Sequence, residues 1–214
     1  MATADGYAEI DRFDGGFGWI SHPDEAMQRA SHAITSGSEV FLVDPLDANG
    51  LDELLDDAGE LGGIVVLLDR HGRDTEILAE RYDIPVYTPP SIDIDVGVPT
   101  HDFTDTLPGT SYELRRVVDF PGWHEAALTD GETLIVPEAV GTASFFRAGD
   151  EALGVHPALR LLPPKSLANT DPERVLVGHG EGVMANGGAA LRDCLRTARR
   201  RAPRAYLEAL GALI

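Results

Sequence analysis

The chain has 214 residues, 43% hydrophobic and 25% charged, with a formal net charge of −19. That length and balance fit one globular domain, residues 1–214, with a sizeable core. They exclude a nucleic-acid partner, because backbone phosphates need cationic partners, and no apolar run is long enough to span a membrane.

Lys165 is the only lysine. An acidic chain whose cations are almost all arginine points to a salt-adapted cytoplasm, where concentrated ions screen self-repulsion. Cys194 is the only cysteine, so no intrachain disulfide forms, as suits a cytosolic protein. The N-terminal stretch MATADGYAEIDRF has no basic start followed by an apolar run, so no secretory signal is expected.

In chain order, GGFGWISH (15–22) is a short aromatic run introduced by glycines. EVFLVDP (39–45) is a continuous apolar run stopped by Asp44 and Pro45, the signature of a buried strand. Residues 48–61 predict a helix with Leu51, Leu54, Leu55 and Leu61 on one side and Asp47 or Asn49 as its cap. GIVVLL (63–68) is a second buried strand ending at Asp69. Residues 74–83 predict a helix with Ile77, Leu78 and Tyr82 inward, and IPVYTPP (84–90) a third strand. Strand, helix, strand, helix, strand is the grammar of parallel strands with helices outside.

Residues 90–110 read as a long polar connection. Residues 111–120, 124–130 and 132–140 read as antiparallel strands, with TDGE (129–132) as a hairpin turn. Residues 154–164 are expected to be helical in part. RVLVGHGEGV (174–183) is a strand running into a glycine-rich loop. Two C-terminal helices follow, 188–201 and 203–213, with Pro203 in the first turn of the second. The cluster Arg196, Arg199, Arg200, Arg201 and Arg204 reads as cations near a helix C-terminus.

Function in such sheets gathers at the C-terminal ends of strands. Three strand ends carry ionisable groups: Asp69 to Asp74, Glu138, and His179. DFPGWHE (119–125) adds His124. Separate strand ends that each deliver a carboxylate or an imidazole are a pattern used by metal hydrolases. His22, His32, His101 and His156 read as structural. The glycines of GHGEG lack the Gly-Lys-Ser/Thr of a phosphate loop, and no Gly-x-Ser-x-Gly elbow is present.

These motifs, in this order, resemble the metallo-β-lactamase superfamily. FLVDP resembles its first strand end. DRHGRD lies where its His-x-His-x-Asp-His box falls, with Asp69, His71, Arg73 and Asp74 in the His, His, Asp and His places. FPGWHE resembles its Pro-Gly-His turn, with Trp123 in the histidine's place and His124 one step later. LIVPEAVGT puts Glu138 where the family has a bridging aspartate, and VLVGHGE keeps the last histidine as His179.

The resemblance implies an α/β fold: a four-layer αββα sandwich of two mixed β-sheets with helices on both outer faces. It also implies a hydrolase ancestry with a degenerate metal site. Trp123 cannot ligate, and Arg73 has no lone pair to offer. On this reading Arg73 stands in for the second cation and pairs with Asp74 or Glu138. Asp69, His71, Arg73, Asp74 and His179 are the expected site residues. No cofactor is expected; the alternative is one zinc, manganese or iron ion at Asp69, His71, Glu138 and His179. The two functional readings are a non-catalytic relative that binds a small molecule, and a hydrolase of a small ester, thioester or related substrate that uses at most one metal ion. The oligomeric state stays open.

Overall fold

The computed structural model describes residues 6–212. Seven strands build the first sheet: β1 (Ala8–Phe13), β2 (Gly16–Ile20), β3 (Ala30–Ser36), β4 (Glu39–Val43), β5 (Glu60–Val65), β6 (Val86–Thr88) and β7 (Thr100–Asp102), lying in that order. The strands from β1 to β4 pair antiparallel, and those from β4 to β7 pair parallel. Helix α1 (Leu51–Asp56) connects β4 to β5, and α2 (Thr75–Tyr82) connects β5 to β6. The alternation of strand, helix and strand expected from the sequence is therefore present.

The second sheet holds β8 (Glu113–Phe120), β9 (Trp123–Thr129), β10 (Thr133–Val136) and β13 (Arg174–Val177), in the order β13-β10-β9-β8. Two short strands, β11 (Val140–Gly141) and β12 (Gly154–Val155), pair separately. The β9–β10 hairpin turns at Asp130 and Gly131, where Gly131 takes φ +96° and Asp130 Oδ1 accepts from the Thr133 N–H at 2.7 Å. That is the turn chemistry an Asp-Gly pair supplies.

Side-chain alternation sets the layers. Phe41, Val43, Val65 and Leu67 face inward and meet Ala126, Leu128, Ile135 and Leu176 of the second sheet. Their neighbours Val40, Leu42, Ile64 and Val66 face outward, onto Leu51, Leu55 and Leu78 of α1 and α2. In the second sheet Leu134, Val136, Val175 and Val177 turn outward, onto Leu191, Cys194 and Ala198 of α3 (Gly187–Ala212). Helix, sheet, sheet and helix are the four layers. Each fully buried leucine contributes about 2 kcal/mol of apolar transfer.

Several boundaries differ from the sequence reading. Helix α1 stops at Asp56, and Leu61 lies in β5. Gly50 is the N-cap of α1, with no side-chain cap, because Asp47 is engaged by Arg81, Nη1 to Oδ1 at 2.9 Å. Ile77 faces solvent. The polar connection contains β7. The helical part expected over 154–164 is a 3-10 turn, Pro157–Leu159, and a second, Lys165–Asn169, follows it before β13.

The two expected C-terminal helices are one, and Pro203 lies inside it. Proline's missing N–H costs one i→i−4 bond, which a long packed helix tolerates. Arg196 to Arg204 therefore sit within the helix and not near its C-terminus, so the dipole does not explain them.

Candidate functional site

The ends of β4, β10 and β13, with the segment after β5, meet at one edge of the sandwich. At the end of β4, Asp44 adopts φ +46°, a left-handed conformation unusual for a residue with a Cβ. This turns its buried carboxylate back along the edge. Oδ1 accepts from the Leu67 N–H at 2.9 Å, and Oδ2 lies 2.9 Å from His71 Nδ1. Asp44 thus orients the His71 ring and leaves Nε2 facing inward.

Three side chains converge there, all buried: His71, Glu138 and His179. One ligand atom from each lies within 4.8 Å of the others. Glu138 Oε2 is 3.4 Å from His71 Nε2 and 3.9 Å from His179 Nε2. His179 stacks on Phe146, with ring centroids 5.1 Å apart, and its Nδ1 donates to the Met27 carbonyl at 2.9 Å. That donation places the ring proton on Nδ1 and a lone pair on Nε2. His179 Nε2 is buried without a hydrogen-bond partner. Burial, reinforced by the charges of His71 and Arg73, pushes the His179 pKa down to about 3. The loop beyond it needs Gly180, which takes φ +91° and packs against Thr142 too closely for a Cβ.

Two arginines reach the cluster. Arg73, itself at φ +43°, donates Nη1 to the carbonyls of Ala30 and Asp44, both at 2.6 Å, and Nη2 to Gly178 at 3.3 Å. Its Nη2 is also 3.4 Å from His71 Nε2. Burial lowers its pKa to about 10, with Asp44 opposing, so it stays protonated at neutral pH. Arg70 donates Nε to Glu138 Oε2 and Nη1 to Asp69 Oδ1, each at 3.1 Å, and lies 4.2 Å above the Trp123 ring. Burial alone raises the Glu138 pKa. His71, His179 and Arg70 outweigh it and hold the carboxyl at about 2.

A further layer supports these groups. His156 Nδ1 accepts from the Ala158 N–H at 3.1 Å, which leaves the proton on Nε2, 3.5 Å from Glu138 Oε1. Glu125 is buried. Its Oε1 accepts from the Glu138 and Ala139 N–H groups, both at 2.8 Å, and its Oε2 from Trp123 Nε1 at 2.7 Å. Desolvation raises its pKa to about 7 against those three bonds. Trp123 is edge-on to His156, with centroids 4.8 Å apart.

The structure brings His71, Glu138, His179 and Arg73 together, as the sequence suggested, but not Asp69 or Asp74. Asp69 Oδ2 accepts from the His124 N–H at 2.8 Å and its other oxygen binds Arg70. Asp74 is the N-cap of α2 and accepts from the Asp47 N–H at 2.9 Å. The expected pairing of Arg73 with Asp74 or Glu138 is replaced by bonds to carbonyls, and Arg70 is the arginine that pairs with Glu138. His124 points away, to Asp119 Oδ1 at 2.9 Å. Adjacent strand residues face opposite sides, so Trp123 inside puts His124 outside.

Glu125 was not legible as a site residue, although its place two residues after Trp123 puts both on one strand face. His156 read as structural because a lone histidine before a proline carries no pattern. Asp44 read only as a strand terminator.

As a donor set, the cluster fits a single ion. Two imidazole lone pairs and a carboxylate oxygen converge, His179 Nε2 has no hydrogen-bond partner among the described residues, and Asp44 holds the far nitrogen of His71 as carboxylates hold metal-bound histidines. Among the described residues this is the one such group. Arg73 and Trp123, beside the cluster, offer no lone pair.

Similar architectures are known. The structure is similar to TMB-1, at 14% identity and TM-score 0.60, over 94% of this chain and 99% of that one. It is similar to the metallo-β-lactamase FIM-1 from Pseudomonas aeruginosa in its mono-zinc form, at 12% identity and TM-score 0.58, over 95% and 98%. It is also similar to TTHA1623 in a di-iron-bound form, at 21% identity and TM-score 0.54, over 77% and 93%. No protein-family model matches the sequence, and neither does any curated protein. The likeness is one of fold.

Proposed function

From a metallo-β-lactamase fold, we propose that this chain is a non-catalytic relative of the hydrolases that binds a small molecule. One observation carries the reading: two guanidinium groups reach the ligand atoms of the cluster, Arg73 Nη2 at 3.4 Å from His71 Nε2 and Arg70 Nε at 3.1 Å from Glu138 Oε2. A fixed positive charge beside each of these atoms opposes a dication. With the cluster side chains buried, water has little room to attack a substrate there. The acidic balance and the single buried Cys194 support a salt-adapted, cytoplasmic setting without nucleic-acid partners.

The test is a screen of esters, thioesters and phosphodiesters in high salt, with and without added Zn²⁺ or Mn²⁺. No turnover above background is expected. Turnover abolished by His179→Ala overturns the binding-only reading.

The partnerless His179 Nε2 favours a second reading, a hydrolase of a small ester or thioester using one ion. His71 Nε2, Glu138 Oε2 and His179 Nε2 would hold it, and zinc, manganese or iron suits that donor set. When bound, such an ion activates water as a Lewis acid. The chain's own part would be orientation: Asp44 fixes the His71 ring, Met27 the His179 ring, and His156 the Glu138 carboxylate.

A further inference from the structure

A cavity of about 380 Å³ lies between α3 and the 3-10 turn Lys165–Asn169 that precedes β13, and it shares no residue with the His71–Glu138–His179 cluster. Arg192, Arg196 and Arg199 form one wall, spaced four and three residues apart and so on one face of the helix. Pro163, Pro164 and Lys165 belong to the other. The prolines stiffen that wall, and Leu167, fully buried in the core beneath α3, anchors it. The volume is that of a small-molecule site.

The charge there is opposite to that of the rest of the chain. Four of the seventeen cations of a chain with net charge −19 line this one cavity. Arg192 pairs with Asp171 at 2.5 Å, and Arg196 pairs with Asp193. Arg199 gives Nε to the Leu161 carbonyl at 2.9 Å. Among the described residues no carboxylate pairs with Arg199 or Lys165. Two cations therefore remain to bind an anion without breaking an existing pair. Between them the lining is carbon: the two prolines, Ala168 and Leu195.

We propose that this cavity binds a small organic anion with a short apolar tail, such as a free medium-chain carboxylate. The head lies between Lys165 and Arg199, and the tail lies along the prolines and Leu195. Complementary charge selects the head, and apolar burial distinguishes the ligand from an inorganic ion.

Because Lys165 is the only lysine, reductive ¹³C-methylation labels one side chain in the cavity and leaves the α-amino signal as an internal control. Octanoate and acetate are titrated against the labelled full chain at constant ionic strength. Octanoate is expected to shift the lysine signal saturably, at concentrations about tenfold or more below any effect of acetate. Arg199→Ala is expected to weaken this by about tenfold. Ala168→Glu, at an exposed position, should abolish it while thermal melting stays unchanged. The proposal is overturned if octanoate gives no saturable shift, if acetate and octanoate act alike, or if both variants bind as the parent does.

Discussion

Nη2 of Arg73 lies 3.4 Å from Nε2 of His71, while the other ring nitrogen of His71 is held 2.9 Å from the Asp44 carboxylate. The imidazole is thus occupied on both sides by the chain's own charges. Whether a metal ion can displace the guanidinium decides between the two functional readings.

Metal content tests this directly. Protein purified without chelator is expected to carry less than roughly a tenth of an equivalent of any transition metal, because a guanidinium beside the ligand atom repels a dication. Arg73→Met removes that charge and should raise zinc uptake toward one equivalent, read by elemental analysis. A wild-type protein that already holds a full equivalent rejects the closed-cluster reading.

Arg73→Met should also cost stability. It removes bonds to the carbonyls of Ala30, Asp44 and Gly178. Ser31 Oγ still reaches Asp44 O, and the Ala30 N–H still reaches Gly178 O. The loss in unfolding free energy should therefore be about 2 kcal/mol, near that of one buried unsatisfied group, measured by denaturant titration in high salt.

Arg70→Ala should behave differently. Its side chain is partly exposed, so its ion pairs with Glu138 and Asp69 contribute less than about 1 kcal/mol. The larger effect should be optical. Arg70 covers Trp123, and the other tryptophan, Trp19, is fully buried. Acrylamide quenching of tryptophan emission should rise in the variant with little change in Tm; unchanged quenching would show that Arg70 does not shield the ring.

The layered fold was legible in the sequence because buried strands announce themselves as apolar runs: residues 39–43 run into Asp44, 63–68 into Asp69, and 174–177 through Gly178 into His179. Glu138 and His179 were legible by their places at strand ends, and His71 by the order of the motifs around it. The partners were not. Hydrogen bonds such as Asp44 to His71, Glu125 to the Glu138 N–H, and His156 to Glu138 depend on rotamers and on loops distant in sequence. Arg70 and Arg73 could not be told apart by spacing, because the turn that separates their directions depends on the left-handed backbone at Arg73. Pro203 misled for a different reason: local helix propensity argued for a break, and packing of α3 on the second sheet overrode it.

Pro203 offers its own test. Substitution with alanine restores an N–H donor within α3 and removes the ring's clash with the preceding turn. Pro203→Ala should stabilise the protein by about 1 to 3 kcal/mol, seen as a higher Tm. A fall in Tm would mean that the helix is bent at this point to fit the sheet.

Cys194 is expected to be unreactive in the native state. Burial pushes its thiol pKa up, and Sγ donates to the Leu191 carbonyl at 3.2 Å. Thiol-disulfide exchange with an aromatic disulfide at pH 8 should proceed only as fast as α3 opens and should become complete in denaturant. Rapid labelling of folded protein would contradict the packing of α3 on the second sheet.

The three carbonyls bound by Arg73 come from β3, the end of β4 and the segment after β13, so a single side chain clamps both sheets at the edge where they would otherwise splay. A guanidinium is made with the chain and never dissociates from it. The edge of this sandwich is therefore tied by a group that is part of the chain itself.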